Sequence, residues 1–380
     1  MSFVNFLLLT LPLLLPVYII RDAPDNVKDI FLQIIYLSII AFMVTIWLIP
    51  IISKYTLNKG MYGLDINKKG TKNGEIKIPE SLGIAVGIVF LGCGAIGQFW
   101  YKNDDAKLVQ YNAALLSICF MILLGFVDDA LDIPWRFKIL LPSIAIVPLL
   151  VSYSGETSII IPTKLANIIN INRIQDLGLI YHLYMLLLCI FCGNAINIHA
   201  GINGLEAGQS FIIGIFILIH NIYEIKADDQ GREQHILSIF LISPFIASTA
   251  GLLYYNWYPS KVFVGDTYTL FAGMTLGVSS ILGHFTKTLL LFFIPQILNF
   301  LYSIPQLFGL FGYHCPRHRL PKYNSNTKLL EGNKNYLNLV NLCLNICGPM
   351  NERNLCITLL SFQFIVCTFG LYLRYNFENW

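Results

Sequence analysis

Apolar residues along this chain come in long blocks, with charge gathered in the short stretches between them. A hydrocarbon core about 30 Å thick takes about 20 apolar residues of helix to cross. Measured against that length, ten blocks qualify: 28–53, 81–100, 110–125, 137–153, 178–198, 209–225, 237–254, 265–283, 286–306 and 355–374. An eleventh, Phe3 to Ile20, reads as either a further span or a cleaved signal, and the lack of a charged segment before it favours a span. The pattern predicts an all-α polytopic membrane protein of about ten transmembrane helices, eleven if residues 3–20 span.

Composition agrees with the blocks. Hydrophobic residues make up 56% of the chain and charged residues 12%, against roughly 25% charged in soluble domains. No soluble domain, low-complexity run or solenoid repeat interrupts the pattern, so residues 1–380 read as one membrane domain whose largest loop is 307–354. The nine cysteines read as small apolar residues in helices rather than as zinc ligands. A net charge of +3 says little about partners, and no nucleic-acid partner is expected. Its distribution says more. Alternating the spans places 54–80, 125–136, 199–208, 255–264 and 307–354 on one face, which then carries 15 of the 25 Lys and Arg residues when Lys138 is counted with it. The positive-inside rule makes that face cytosolic.

Five polar clusters fall on that same face. Asp128 and Asp129 close one span, and Lys138 opens the next. Adjacent carboxylates near a bilayer are costly unless a cation, a metal or a proton offsets them; the alternative is a solvated helix end. Because successive helical residues point about 100° apart, one aspartate can face a substrate while its neighbour anchors elsewhere. Asn194 and Asn197 share a helix face just before a turn containing Gly201, Asn203 and Gly204, where backbone can approach a ligand. Asn203 also fits a helix cap with Glu206 as its box partner. Asp266 opens a long apolar span and suits either a metal ligand or an ordinary helix cap. Pro316-Arg317-His318-Arg319-Leu320-Pro321 places three potential cations between prolines, an anion clamp or a topogenic loop. The last cluster runs from Met61 to Lys69 and continues to Glu80 at a helix mouth. Carboxylates, an amide, a lysine and an Arg-His-Arg clamp on one face are the inventory of phosphoryl transfer, which depends on positioning and on neutralising phosphate charge. An oxygen-only ligand set points to Mg²⁺.

At these residues the chain resembles the polyprenyl-phosphate N-acetylhexosamine-1-phosphate transferases of the glycosyltransferase 4 family, and most closely the eukaryotic UDP-N-acetylglucosamine:dolichyl-phosphate N-acetylglucosamine-phosphotransferases. The likeness runs from about Gly60 to Arg374. It rests on Pro79-Glu80-Ser81, Asp128-Asp129 with Lys138, Asn194-Ala-Ile-Asn197, the 200–209 turn, Asn256-Trp-Tyr-Pro, Val262-Phe-Val-Gly-Asp266, Pro316-Arg-His-Arg319 and Asn351-Glu-Arg-Asn354. The resemblance implies transfer of N-acetylglucosamine-1-phosphate from UDP-N-acetylglucosamine to dolichyl phosphate in the endoplasmic reticulum membrane. It also implies Mg²⁺ on Asn197 and Asp266, and a catalytic role for Asp128, Asp129 and Lys138. The nucleotide sugar is expected at Leu64, Asp65, Ile66, Glu80, Asn194, Gly201, Asn203, Arg317, His318 and Arg319. The lipid phosphate is expected at Lys138 and along Ile190, Phe191, Cys192, Gly193, Asn194, Ala195, Ile196, Asn197 and Ile198. Membrane lipid and a second copy of the chain, as a homodimer, are the further partners it implies. The chain departs from the family in a short 322–339 segment, in extra positions between 64 and 80, and in His199, where an apolar residue is usual. Two rivals remain open at this point: the same chemistry on another sugar nucleotide or prenol carrier, and a nucleotide-sugar transporter.

Overall fold

The computed structural model describes residues 25–99, 105–134, 137–161, 170, 172–227, 231–313, 316 and 319–376. The block at 3–20 lies outside the described residues. Every one of the ten remaining blocks falls on a helix or on a pair of helices. In chain order these are α1 (Asp25–Asn58), α2 (Gly83–Gly97), α3 (Asp105–Leu131), α4 (Phe137–Ala145), α5 (Val147–Ser152), α6 (Leu179–Ile198), α7 (Leu205–Ala227), α8 (Arg232–Asn256), α9 (Gly265–Leu282), α10 (Thr286–Phe292), α11 (Ile294–Leu307), α12 (Leu339–Cys347) and α13 (Glu352–Asn376).

Six of these are long and apolar enough to cross a membrane, and seven if α10 and α11, which meet at 67°, count as one broken span. The helix over 83–97 is shorter, and the 137–153 block is divided into α4 and α5. The connections hold three two-stranded antiparallel pairs: β1 (Tyr62–Leu64) with β2 (Lys77–Pro79), β3 (Ser158–Ile160) with β4 (Ile174–Asp176), and β5 (Lys322–Asn324) with β6 (Leu329–Glu331). Within the 307–354 loop the described residues form β5, β6 and α12.

Helix α9 is the centre of the bundle. All its residues from Thr267 to Leu282 are buried, and it packs on α3 and α6 while α8 packs on α7 and α1. Between membrane helices the driving force is close packing rather than exclusion of water, so small residues mark the crossings. The α6–α9 crossing is of this kind: a Cβ built on Gly273 would lie 2.3 Å from the backbone N and Cα of Gly193. Backbone cannot yield as a side-chain tip can, so a Gly273→Ala protein is expected to lose about 3 kcal/mol of stability as the helices separate. Its melting temperature in detergent checks this; a value equal to wild type would mean that the crossing tolerates a methyl group. Cys189 and Cys192, which form a Cys-x-x-Cys spacing, are both fully buried on α6 and serve packing.

The break between α10 and α11 exposes carbonyls that a straight helix would satisfy. Pro295 stands in the first turn of α11, where its missing N–H leaves no helix bond unmade. Gln363 Nε2 donates to the Phe292 carbonyl at 2.8 Å, and Gln296 Nε2 donates to Gln363 Oε1 and Gln209 Oε1, each at 2.7 Å. Gln209 in turn donates to the His199 carbonyl at 2.7 Å. Irregular backbone at membrane depth is tolerated where protein supplies its partners, and this amide ladder ties the broken span to the end of α6.

Candidate active site

Four helix ends converge on one cluster. Asp128 comes from the last turn of α3, Lys138 from the first turn of α4, Asn197 from the last turn of α6, and Asp266 from the first turn of α9. Lys138 Nζ lies 2.7 Å from Asp128 Oδ2 and 3.0 Å from Asp266 Oδ2. Asn197 Nδ2 donates to Asp266 Oδ1 at 2.6 Å and to Thr269 Oγ1 at 3.1 Å. Two carboxylates thus share one ammonium, and Asp266 keeps 29% of its side chain exposed. The close approach depends on Gly125, where a Cβ would sit 2.5 Å from the Cα of Thr267.

Asp129 points elsewhere. Its Oδ1 accepts from the Asp266 backbone N at 2.7 Å, and its Oδ2 accepts from the Thr267 backbone N at 3.1 Å and the Thr267 hydroxyl at 2.6 Å. A carboxylate on the first N–H groups of a helix satisfies donors that have no partner within the helix and meets the positive end of its dipole. The start of α9 is therefore capped by Asp129 from α3, and Asp266 does not cap it. The paired aspartates divide as their 100° offset allows, one toward the lysine and one onto a helix end.

A second polar cluster surrounds the turn between α6 and α7. Asn203 Nδ2 donates to Asp65 Oδ2 at 3.0 Å, and the Asn203 backbone N donates to Glu352 Oε1 at 2.9 Å. Asn67 Nδ2 donates to the same Glu352 oxygen at 3.1 Å and to the Gly201 carbonyl at 2.9 Å. The expected capping box is not formed: Glu206 Oε1 accepts from the Gly201 N at 3.2 Å rather than from the Asn203 N, and the Asn203 side chain is committed to Asp65. Leu64 and Ile66, 48% and 42% exposed, flank the buried Asp65. Glu80 lies near Gly63, and the Pro79 carbonyl accepts from the Phe263 N at 2.8 Å, which ties the helix mouth to the segment before Asp266.

Of the Arg-His-Arg motif, Arg317 and His318 lie outside the described residues. Arg319 is held through its backbone: its carbonyl accepts from Asn338 Nδ2 at 2.8 Å and Asn341 Nδ2 at 3.1 Å, and its guanidinium donates to the Leu337 carbonyl at 3.2 Å. The next residue, Leu320, lies against the 201 turn, where a Cβ on Gly201 would come within 2.6 Å of it. The motif thus ends at the second cluster.

The stretch from Ile190 to Ile198 divides by face. Cys192, Gly193, Ala195 and Ile196 are buried in helix packing. Ile190, Phe191, Asn194, Asn197 and Ile198 remain partly accessible. Asn194 Nδ2 donates to the Ile190 carbonyl at 2.9 Å, within its own helix. His199 ends α6 fully enclosed, and burial pushes its imidazole down to about 4, so it is neutral at physiological pH. Sequence reasoning gave no role to Glu352, Asn67 or Lys68; the signal for the first was present in Asn351-Glu-Arg-Asn354.

A polytopic helical bundle with a carboxylate–lysine–amide cluster at converging helix ends has the makings of a membrane-embedded phosphoryl-transfer enzyme. Comparison with known proteins sharpens the class. Residues 111–284 match the model of glycosyl transferase family 4. A Dictyostelium discoideum protein named UDP-N-acetylglucosamine--dolichyl-phosphate N-acetylglucosaminephosphotransferase is 46% identical, over 96% of this chain and 93% of its own. Proteins of the same name from Schizosaccharomyces pombe and Saccharomyces cerevisiae are 37% and 36% identical, covering 89% and 87% of this chain and 90% and 88% of theirs. The chain belongs to this family of phosphosugar transferases, within glycosyl transferase family 4, and is a multi-pass membrane protein.

Proposed function

We propose that this enzyme transfers N-acetylglucosamine-1-phosphate from UDP-N-acetylglucosamine to dolichyl phosphate, forming N-acetylglucosaminyl-diphosphodolichol and UMP, as the first step of lipid-linked oligosaccharide assembly for protein N-glycosylation. The observation that carries the reading is the position of Asp266, bonded on one oxygen by Lys138 and on the other by Asn197, at the mouth of a buried helix. The near full-length similarity to enzymes bearing that name supports the substrates.

An oxygen of the lipid phosphate attacks the phosphorus bonded to N-acetylglucosamine, and the bond from that phosphorus to the UMP oxygen breaks. A phosphate monoester has a second pKa near 6 and is mostly dianionic at neutral pH, so the attack needs no strong base. Lys138 receives the lipid phosphate and offsets its charge, with Asp128 orienting the ammonium at 2.7 Å. Leu64, Asp65, Ile66, Glu80, Gly201 and Asn203 line the nucleotide-sugar pocket, and Arg317, His318 and Arg319 hold the diphosphate and sugar.

The residues present fit Mg²⁺. The Asp266 carboxylate, 29% exposed, and the Asn197 amide beside it supply oxygen donors at one point, which suits an ion held by one carboxylate, one amide and substrate phosphates. Asp266 and Asn197 would hold it. When bound, the ion neutralises charge on the diphosphate. The endoplasmic reticulum membrane is the proposed location, with the site toward the cytosol as the Lys and Arg bias indicates; a homodimer rests on resemblance alone.

The test is transfer from UDP-N-acetylglucosamine labelled in the sugar, and separately in the β-phosphate, to added dolichyl phosphate by purified protein. Both labels are expected in the lipid, with UMP released only when Mg²⁺ is present. Sugar transfer with release of UDP would replace this reading with ordinary glycosyl transfer, and vesicle uptake without turnover would replace it with transport.

A further inference from the structure

We propose that Glu352 is a positioning residue for the nucleotide-sugar pocket, locking the 201–204 turn to the 65–68 loop so that Asn203 presents its side-chain carbonyl oxygen, and not its amide nitrogen, to the ligand. This rests on the reading above of Asp65 and Asn203 as part of that pocket.

Glu352 is the first residue of α13, far along the chain from both segments it joins, and it is 4% exposed. A buried carboxylate costs several kcal/mol unless hydrogen bonds and a countercharge offset it. Its Oε1 takes both of its bonds from the pocket: the Asn203 backbone N and Asn67 Nδ2. Asn67 then passes the restraint to the Gly201 carbonyl with the same amide group. One oxygen thereby fixes both ends of the turn.

The countercharge is Lys68. It pairs with Asp65, lies 3.9 Å from Glu352 Oε2 and sits 4.7 Å from the centre of the Tyr258 ring. Oε2 of Glu352 is fully buried and accepts no hydrogen bond, so the lysine is its compensation. Two carboxylates share one ammonium here, as they do in the first cluster.

The orientation of Asn203 follows. An amide facing a carboxylate must turn an N–H toward it, because oxygen against oxygen repels. Asp65 Oδ2 accepts from Asn203 Nδ2 at 3.0 Å, which fixes the amide's orientation and turns Oδ1 away from the carboxylate, the side on which the proposal places the ligand. The pocket therefore favours a ligand edge that carries an N–H donor over one that carries an acceptor, and Glu352 holds the turn on which that preference depends. Leu355 and Cys356, one turn along α13, are buried in the small cluster with Ile202 and Leu205, so the helix that carries Glu352 is itself packed against the turn.

The experiment is steady-state kinetics of the full-length protein in detergent with UDP-N-acetylglucosamine and dolichyl phosphate varied in turn, together with melting temperatures. Glu352→Ala is expected to raise KM for UDP-N-acetylglucosamine about tenfold or more, since it strands buried donors, with KM for dolichyl phosphate unchanged. Glu352→Gln keeps an acceptor at the same reach and is expected to stay within about threefold of wild type. Glu352→Asp keeps the charge but withdraws the oxygen and is expected to behave as the alanine variant, so it decides the matter if the alanine protein does not fold. Glu352→Asp or Glu352→Ala with wild-type KM for the nucleotide sugar overturns the proposal, as does an equal rise in both KM values. Asn203→Ala separates the two levels. If it raises KM for the nucleotide sugar while the Glu352 variants do not, only the positioning role fails; if it does not, the pocket assignment itself fails.

Discussion

Replacing Asp266 with asparagine is expected to lower turnover by about 10³-fold while leaving the protein folded. The substitution preserves shape and one acceptor oxygen and removes one negative charge. That charge has two partners, Lys138 at 3.0 Å and Asn197 at 2.6 Å, and under the proposed function it would help to hold Mg²⁺, which would offset charge on the diphosphate. Preorganised charge at the reacting centre is worth about 10²–10³ per group in the rate. The loss should appear in kcat rather than in KM, because it concerns charge that develops in the transition state. Lys138→Met is expected to fall as far. The double variant should lose little more than either single one, since the two groups act as a unit around one ammonium. Label transfer under saturating substrates measures all three. An Asp266→Asn protein within about tenfold of wild-type turnover would remove Asp266 from the reaction.

Which parts of this arrangement were legible in sequence depends on the distance over which each is encoded. The helices were legible because the membrane imposes a length on every apolar block, and each of the ten blocks meets a helix or a helix pair. Breaks within blocks were harder to see. The 67° bend between Phe292 and Ile294 falls inside an unbroken apolar run, and what stabilises it is a glutamine ladder from α7 and α13 that local pattern does not reveal. The first polar cluster was readable as a set of helix ends on one face, since Asp128, Lys138, Asn197 and Asp266 each stand at a boundary between apolar and polar sequence. Its longer pairings were not, because Asn197 and Lys138 reach Asp266 from 69 and 128 positions away. Glu352 illustrates the same limit: one residue at the start of the last helix bonds a backbone N 149 positions earlier. The cap of α9 shows why local rules mislead at such a site. Asp266 has the sequence signature of a cap, yet the capping oxygen comes from another helix, which frees Asp266 to face Lys138 and Asn197.

That division of labour makes the adjacent aspartates separable by experiment. Asp129→Ala is expected to destabilise the protein by about 3 kcal/mol, because it removes three hydrogen bonds at the start of the central helix and strands two backbone N–H groups in a buried setting. Asp129→Asn should lie between this variant and wild type, since the amide keeps one acceptor and the Thr267 hydroxyl can turn. Asp128→Asn is expected to behave in the opposite way. Its Oδ1 can still accept from the Ile133 N at 3.1 Å, so the melting temperature should remain near wild type. The charge that holds Lys138 at 2.7 Å is gone, however, and turnover should fall about 10²-fold. Melting temperature and turnover, measured on both variants, must therefore move in a crossed pattern: stability lost with Asp129, rate lost with Asp128 at unchanged stability. Loss of stability in Asp128→Asn with Asp129→Ala melting as wild type would reverse the assignment. Equal loss in both would mean that the pair acts as one charged unit and that the offset of 100° between neighbouring helical residues does not divide their roles.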